Sequence, residues 1–475
     1  MTRLFHSCLL LAPAVVASPE RFQCLNLAQR LSATSSTVSR YQHMELRTLE
    51  KVDMHPISDG KMNLIVRGGA MSQERSRNVV VLLVATALFN DMLQLTMLLP
   101  IIHTLISSPP PLGVTSNKEF ALGLFFASKD ICQMAFAPIA SVLTSRTSAQ
   151  TALISSTIGL GIATFVFAEA TTFWQLLLAR GTQGAASAAV MCGGLSLIAE
   201  THPRNKRGSA IGFAQTGLAL GLLCGPLIGG LLFQRMGRIK TFRLASGVVL
   251  VNALAMISFM GISPSERFIT DTIDKLGNRE RVSLVVSSKR LLSNHDILLA
   301  TLSTFIIHAV VGVIKPISQV VLDEEFGIPM LKRSFIISIA TLSYFFAAPF
   351  SGWLSDHMSR SKLLSISLVL MAGSSIFFTL RHLGIWAFYV CVGLLGVAMG
   401  IQKSSSQSLV ADLVDRHNLG EYSMVYALQD VADSLGLIIG PIVGLYLSQI
   451  FSPSVGVASL GIFCLLLAPF VLRIP

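Results

Sequence analysis

Six ionisable side chains sit inside stretches that are otherwise apolar: Asp91, Lys129, Arg180, Lys315, Lys403 and Asp430. Charge in hydrocarbon is expensive, so such residues face a protein interior or an aqueous path and serve to bind or move charge. Acids and bases gathered there can pair with one another, hold a charged solute or carry a proton. Each also has a plainer reading: Asp91 as partner of a nearby lysine, Lys129 and Asp430 as structural charges, Arg180 as a fixed clamp or an interior gate. His308 is a further titratable group or, as a lone histidine, a packing residue. Gln402 and Ser404 to Ser406, beside Lys403, line a polar cavity or bond between helices. There is no nucleophile triad, no metal-ligand spacing, and no glycine-rich stretch ending in Lys-Ser/Thr. The chain therefore reads as a protein without enzymatic activity and without a cofactor.

The elements that carry these residues are long. Of the 475 residues, 52% are hydrophobic and 13% charged, against about 25% charged in a soluble domain. The apolar residues fall in runs of about 20, the length a helix needs to cross a bilayer. Twelve runs are expected, near 78–105, 119–143, 149–168, 173–199, 208–234, 244–262, 295–321, 333–353, 363–381, 384–413, 424–448 and 454–473. This is an all-α polytopic membrane protein. The net charge of +11 does not imply nucleic acid, because no soluble region is large enough to bind one. The basic residues sit near span ends, where they set topology. With cytoplasmic termini, Arg75, Arg77, Arg146, Arg204, Lys206, Arg207, Arg360 and Lys362 obey the positive-inside rule. Arg235, Arg238, Lys240 and Arg243, between spans 5 and 6, dissent.

The chain divides into four segments: a polar segment 1–77, a six-helix half 78–262, a polar cytoplasmic linker 263–294, and a second six-helix half 295–475. In the first, the apolar run Leu9 to Ala17 after Arg3 resembles a signal peptide. Its Arg-rich, acid-poor composition also suits an organelle transit peptide, and a disordered cytosolic tail is the third reading. The seven cysteines form no CxxC pair, and Asn-x-Ser/Thr does not occur.

The halves repeat. Gly217-x-x-x-Gly221-x-x-x-Gly225-Pro226-x-x-Gly229 in span 5 is echoed by Gly436-x-x-x-Gly440-Pro441-x-x-Gly444 in span 11. Pro100 is matched by Pro316, Pro138 by Pro349, and Glu200 by Asp412, all at nearly one separation. Two pseudo-symmetric six-helix halves place a substrate site between them, near the membrane midplane. Glycines four apart line one helix face and let a neighbour approach closely.

Gly352-Trp-Leu-Ser-Asp356-His-Met-Ser-Arg360-Ser-Lys362 resembles the signature cytoplasmic loop of the major facilitator superfamily, with Ser359 in place of a usual glycine. The first-half copy keeps Arg146 but has Ser145 for the usual acid. Gly221, Gly225, Pro226 and Gly229 resemble the antiporter motif of that superfamily; ordinary small-residue helix packing explains them too. Asp91-Met-Leu, Leu124-Phe-Phe-Ala-Ser-Lys129, Leu178-Ala-Arg180-Gly-x-Gln183-Gly and Val425-Tyr-Ala-Leu-Gln-Asp430-Val-Ala extend the resemblance to the vesicular amine and acetylcholine transporters. That resemblance implies a monomeric proton-coupled antiporter of small organic solutes in a secretory or synaptic vesicle membrane, using the proton gradient as its energy source. It also implies that Asp91 meets the substrate's cationic nitrogen and that Lys129 pairs with Asp430.

Two departures redirect the expectation. Lys315 and Lys403 stand where that family has intramembrane carboxylates, which disfavours a simple monocationic amine. Asp130 and Asp433 are additional acids that could compensate. An anionic or zwitterionic substrate is expected, with Asp91 or Asp430 as proton carrier. The alternatives are a multidrug or metabolite exporter of the same fold and a non-transporting membrane scaffold.

Overall fold

The computed structural model describes residues 59–98, 101, 118–261, 291, 293–417, 419, 422–450 and 452–474. The expected targeting segment and most of the central linker lie outside the described residues. Contacts divide the chain into Met1–Gln73 and Glu74–Pro475, and the helical bundle that carries the charged residues is the second unit.

Helices α1 (Asp59–Met97), α2 (Lys118–Arg146), α3 (Ala149–Glu169) and α4 (Phe173–Thr201) come first. The stretch Arg204–Gly261 is two helices, α5 over 204–236 and α6 over 238–261, joined at Gly237 with φ 72° and ψ 177°, a region open to glycine and costly for residues with a Cβ. Then come α7 (His295–Glu324), α8 (Met330–His357), α9 (Arg360–Thr379), α10 (Ile385–Arg416), α11 (Tyr422–Ile450) and α12 (Pro453–Leu472). No strand occurs among the described residues. Among the described residues, ten stretches are long and apolar enough to span a membrane, one of them the hinged Arg204–Met260. Counting its two limbs, and adding α2, whose interior holds Lys129 and Asp130, gives the twelve expected.

The distribution of polarity is inverted relative to a soluble protein. Trp174, Leu227, Phe335, Val251 and Phe346 face outward, at 60% exposure or more, while Asp91, Lys129, Arg180 and Asp430 are all at 3% or less. A bilayer permits this arrangement, since lipid accepts the apolar surface and the backbone is satisfied within each helix.

The repeat is visible as packing. A Cβ at Gly217 would overlap the Ala85 carbonyl oxygen, one at Gly221 would stand 2.5 Å from that of Phe89, and one at Gly229 would overlap that of Met97. The glycine face of α5 therefore lies directly on the α1 backbone, and Thr96 Oγ1 donates to Gly221 O (3.0 Å). In the second half, a Cβ at Gly436 would stand 2.5 Å from Phe305 O, and one at Gly440 would overlap Ala309 O. Helix α11 lies on α7 as α5 lies on α1. The halves meet through α2 with α11 and α5 with α8.

The dissenting basic loop has a local explanation. Arg238 donates to Phe167 O (3.0 Å) and Ala170 O (2.7 Å) at the C-terminal end of α3, and Arg243 pairs with Glu169 (2.6 Å). Arg238 caps the C-terminus of α3, where carbonyls lack partners and the dipole favours positive charge.

Candidate functional site

The glycine-mediated seat of α1 on α5 fixes Asp91 in the interior, facing α2 and α4. Its Oδ1 accepts from Ser187 Oγ of α4 and lies 3.4 Å from Lys129 Nζ of α2. The expected pairing of Lys129 with Asp430 is not formed. Lys129 Nζ reaches Asp91 and Gln133 Oε1 (3.4 Å), and Gln133, one turn further along α2, donates through Nε2 to Asp430 Oδ1 (2.9 Å). A neutral amide thus stands between the lysine and the acid it was expected to meet.

Arg180 lies on the same face of α4 as Gln183 and Ser187, as residues three and four apart do. Its Nη1 donates to Gln183 Oε1 (2.9 Å) and its guanidinium sits over the Phe125 ring, 5.4 Å from the centroid. Gln183 Nε2 continues to Thr164 Oγ1 (3.1 Å).

In the second half, Lys403 of α10 is ion-paired with Asp433 Oδ2 of α11. Asp433 Oδ1 is 3.2 Å from His308 Nδ1 of α7, which also contacts Thr304 O (2.9 Å). Thr304 Oγ1 donates to Gln429 Oε1 (2.6 Å) and accepts from Gln402 Nε2 (2.8 Å), so Gln402 bonds between helices. The base at position 403 is neutralised one helix away, and Asp433 is the compensating acid. The Lys315 side chain lies outside the described residues.

A polar seam thus runs from Ser187 through Asp91, Lys129 and Gln133 to Asp430, with Arg180 and Gln183 on the Ser187 face of α4 at one end and Asp433, Lys403 and His308 beyond the other. Among the described residues, Asp91 Oδ2, Asp430 Oδ2, and Arg180 Nε and Nη2 are buried polar atoms with no hydrogen-bond partner. No group of His, Cys, Asp and Glu among the described residues could hold a metal ion.

One end of the bundle is closed across the halves. Asp356, which the structure places in the last turn of α8, accepts from Gly208 N (2.7 Å), Ser209 N (2.8 Å) and Ser209 Oγ (2.5 Å), one turn into α5. The carboxylate lies toward the N-terminal end of α5, the positive end of that helix's dipole. Beside it, Gly352 meets Gly212, where a Cβ would stand 2.8 Å from the opposite Cα. Arg360 pairs with Asp412 (2.5 Å) and donates to Arg204 O (2.5 Å), and Arg207 of α5 pairs with Asp412 (3.2 Å) and Asp415 (2.9 Å) of α10. Lys362 is exposed. The α5–α10 and α5–α8 contacts also use Gln215, which donates to Gln407 Oε1 (2.7 Å) and accepts from Tyr344 OH (2.9 Å). Sequence reasoning does not single out Gln133, Gln215, Gln407 or Tyr344; their only signal is a polar side chain within an apolar run.

Twelve spanning helices in two packed halves, with buried charge between them, define a membrane transporter of small solutes. The sequence pattern of the Major Facilitator Superfamily matches residues 80–311 and 300–475, and the chain belongs to that superfamily. It is 26% identical over 362 residues to the synaptic vesicular amine transporter of Bos taurus, covering 76% of this chain and 67% of that protein. It is 29% identical over 353 residues to the multidrug resistance protein MdtG of Citrobacter koseri, covering 71% and 81%. The structure of the human organic anion transporter MFSD10 (TETRAN) superposes with a TM-score of 0.66 at 15% identity, covering 84% of this chain and 99% of that one. That likeness concerns the fold.

Proposed function

We propose that the chain is a proton-coupled antiporter of small organic solutes that works by alternating access. The observation that carries this reading is the buried seam joining Asp91, Lys129 and Asp430 across both halves. Its carboxylates retain unpaired oxygens, so each can take a proton or a solute donor, and a change at one is felt by the next through a shared partner. The Asp356 clasp on α5 supplies an end contact that must open if the halves rock. With cytoplasmic termini this end is the cytoplasmic one. The similarity to the synaptic vesicular amine transporter supports a vesicle membrane. A second reading, an exporter of the multidrug type, is favoured by the similarity to MdtG.

The test is uptake and proton flux in proteoliposomes with an imposed pH gradient, across cationic, zwitterionic and anionic solutes, repeated with Asp91→Asn. Coupled flux with a solute, abolished in the variant, is the expected result. Flux of no solute would point to a scaffold, and uptake without proton movement to a uniporter.

A further inference from the structure

Arg180 carries a recognition edge that the protein does not use. The side chain is 1% exposed, its flat face lies over Phe125, and Nη1 is spent on Gln183. Nε and Nη2 have no hydrogen-bond partner among the described residues, and no ion pair among them includes Arg180. These two nitrogens bound one edge of the guanidinium, and their parallel N–H bonds fit the two oxygens of a carboxylate. A buried charged donor left bare bears its full desolvation cost. Asp91 and Asp130 are the acids whose charge reaches Arg180, yet Asp91 turns its Oδ1 to Lys129 and Ser187.

The same seam has the opposite need. Asp91 Oδ2 and Asp430 Oδ2 are buried acceptors without a donor. A monocation would satisfy these oxygens and leave the arginine edge bare. A monoanion would satisfy the edge and bring a further negative charge among Asp91, Asp130, Asp430 and Asp433. A solute with one group of each sign answers both needs.

We infer that the transported solute is a zwitterion, its carboxylate held on the Nε/Nη2 edge of Arg180 and its ammonium on the free oxygens of Asp91 and Asp430. This rests on the antiporter reading and names its cargo. Arg180 then acts as the residue that selects for the carboxylate, and Lys cannot replace it, because an ammonium offers no planar pair of donors.

The test uses the full chain, in detergent for thermal-shift binding and in proteoliposomes for uptake. The probes are ω-amino carboxylates from glycine to 6-aminohexanoate, each with its methyl ester, a cation only, and its N-acetyl form, an anion only. One chain length is expected to bind best, with both blocked forms weaker by about 10-fold or more, the worth of a hydrogen bond to a charged group. Arg180→Lys should lose about 10-fold to 100-fold for the zwitterion and nothing for the ester. Asp430→Asn should weaken the zwitterion and the ester and spare the N-acetyl form, which keeps the test open if the Arg180 variant fails to fold. Equal binding of zwitterion and ester, an unaffected Arg180→Lys protein, or no binding by any probe overturns the inference, while proton-driven uptake of another solute would leave the antiporter standing. Zwitterion-selective binding without proton-driven uptake supports the site and removes the antiport.

Discussion

Asp433 on α11 is the ion-pair partner of Lys403 on α10, and the two side chains are only 12% and 9% exposed. The lysine at this intramembrane position has its own counter-charge, so the Lys403–Asp433 pair adds no net positive charge to this part of the seam. Removing one partner strands the other in a poorly solvated place. Lys403→Met or Asp433→Leu alone should cost about 3–5 kcal/mol, read as a lower unfolding temperature in detergent. The double variant should recover most of that loss, since an apolar pair of similar volume is often as stable as a buried ion pair. Single variants as stable as the parent would show that the pair is not formed.

The Asp356 clasp is open to a direct distance measurement. Two backbone N–H groups of α5 and the Ser209 hydroxyl converge on one carboxylate, and hydrogen bonds to a charged group are worth about 1.5–3 kcal/mol each. Asp356→Asn keeps the shape and removes the charge. Spin labels at Lys206→Cys and Met358→Cys, on exposed positions beside the clasp, should report one short distance in the parent and a second, longer population in the variant. An unchanged distribution would mean that the glycine contact and the Arg207 and Arg360 bonds hold this end shut without the charge of Asp356.

Glycine substitutions separate packing from mere composition. At Gly217 a Cβ would overlap the Ala85 carbonyl, a backbone atom that cannot swing aside, whereas at Gly247 on α6 nothing lies within 4 Å. Gly217→Ala should therefore push α5 off α1 and lower the unfolding temperature. Gly247→Ala should be neutral or stabilising, by up to about 1 kcal/mol, because alanine is the better helix former. Equal effects at the two sites would contradict the close approach of α5 to α1.

The twelve spans were legible in the sequence because hydrophobic length is a one-dimensional signal, and the glycine repeats because spacing of four marks one helix face. The partner of Lys129 was not. Asp91 and Asp430 are both acids in spans, and only the placement of α1 against α2 and α4 decides between them. Gln133 carries no charge, so nothing in the sequence sets it apart from the other polar side chains of its run, yet it is the side chain that separates Lys129 from Asp430. The relation of Asp433 to Lys403 likewise depends on which faces of α10 and α11 meet, which no spacing within either helix reveals.

Lys129 is the hinge of the seam. Its Nζ lies 3.4 Å from Asp91 Oδ1 and 3.4 Å from Gln133 Oε1, while Gln133 holds Asp430. Asp91→Asn leaves Lys129 buried with amide and hydroxyl neighbours only, so the ammonium loses its charge partner and stability should fall by about 3–5 kcal/mol. Adding Lys129→Gln removes the stranded charge and should restore the unfolding temperature. If Asp91 were no more than that lysine's partner, the double variant would also regain pH-gradient-driven uptake of the best-bound ω-amino carboxylate. A carboxylate that takes the proton or the solute cannot be replaced by restoring charge balance. The double variant is therefore expected to be stable and inactive, and uptake at the parental rate would reduce Asp91 to a structural role.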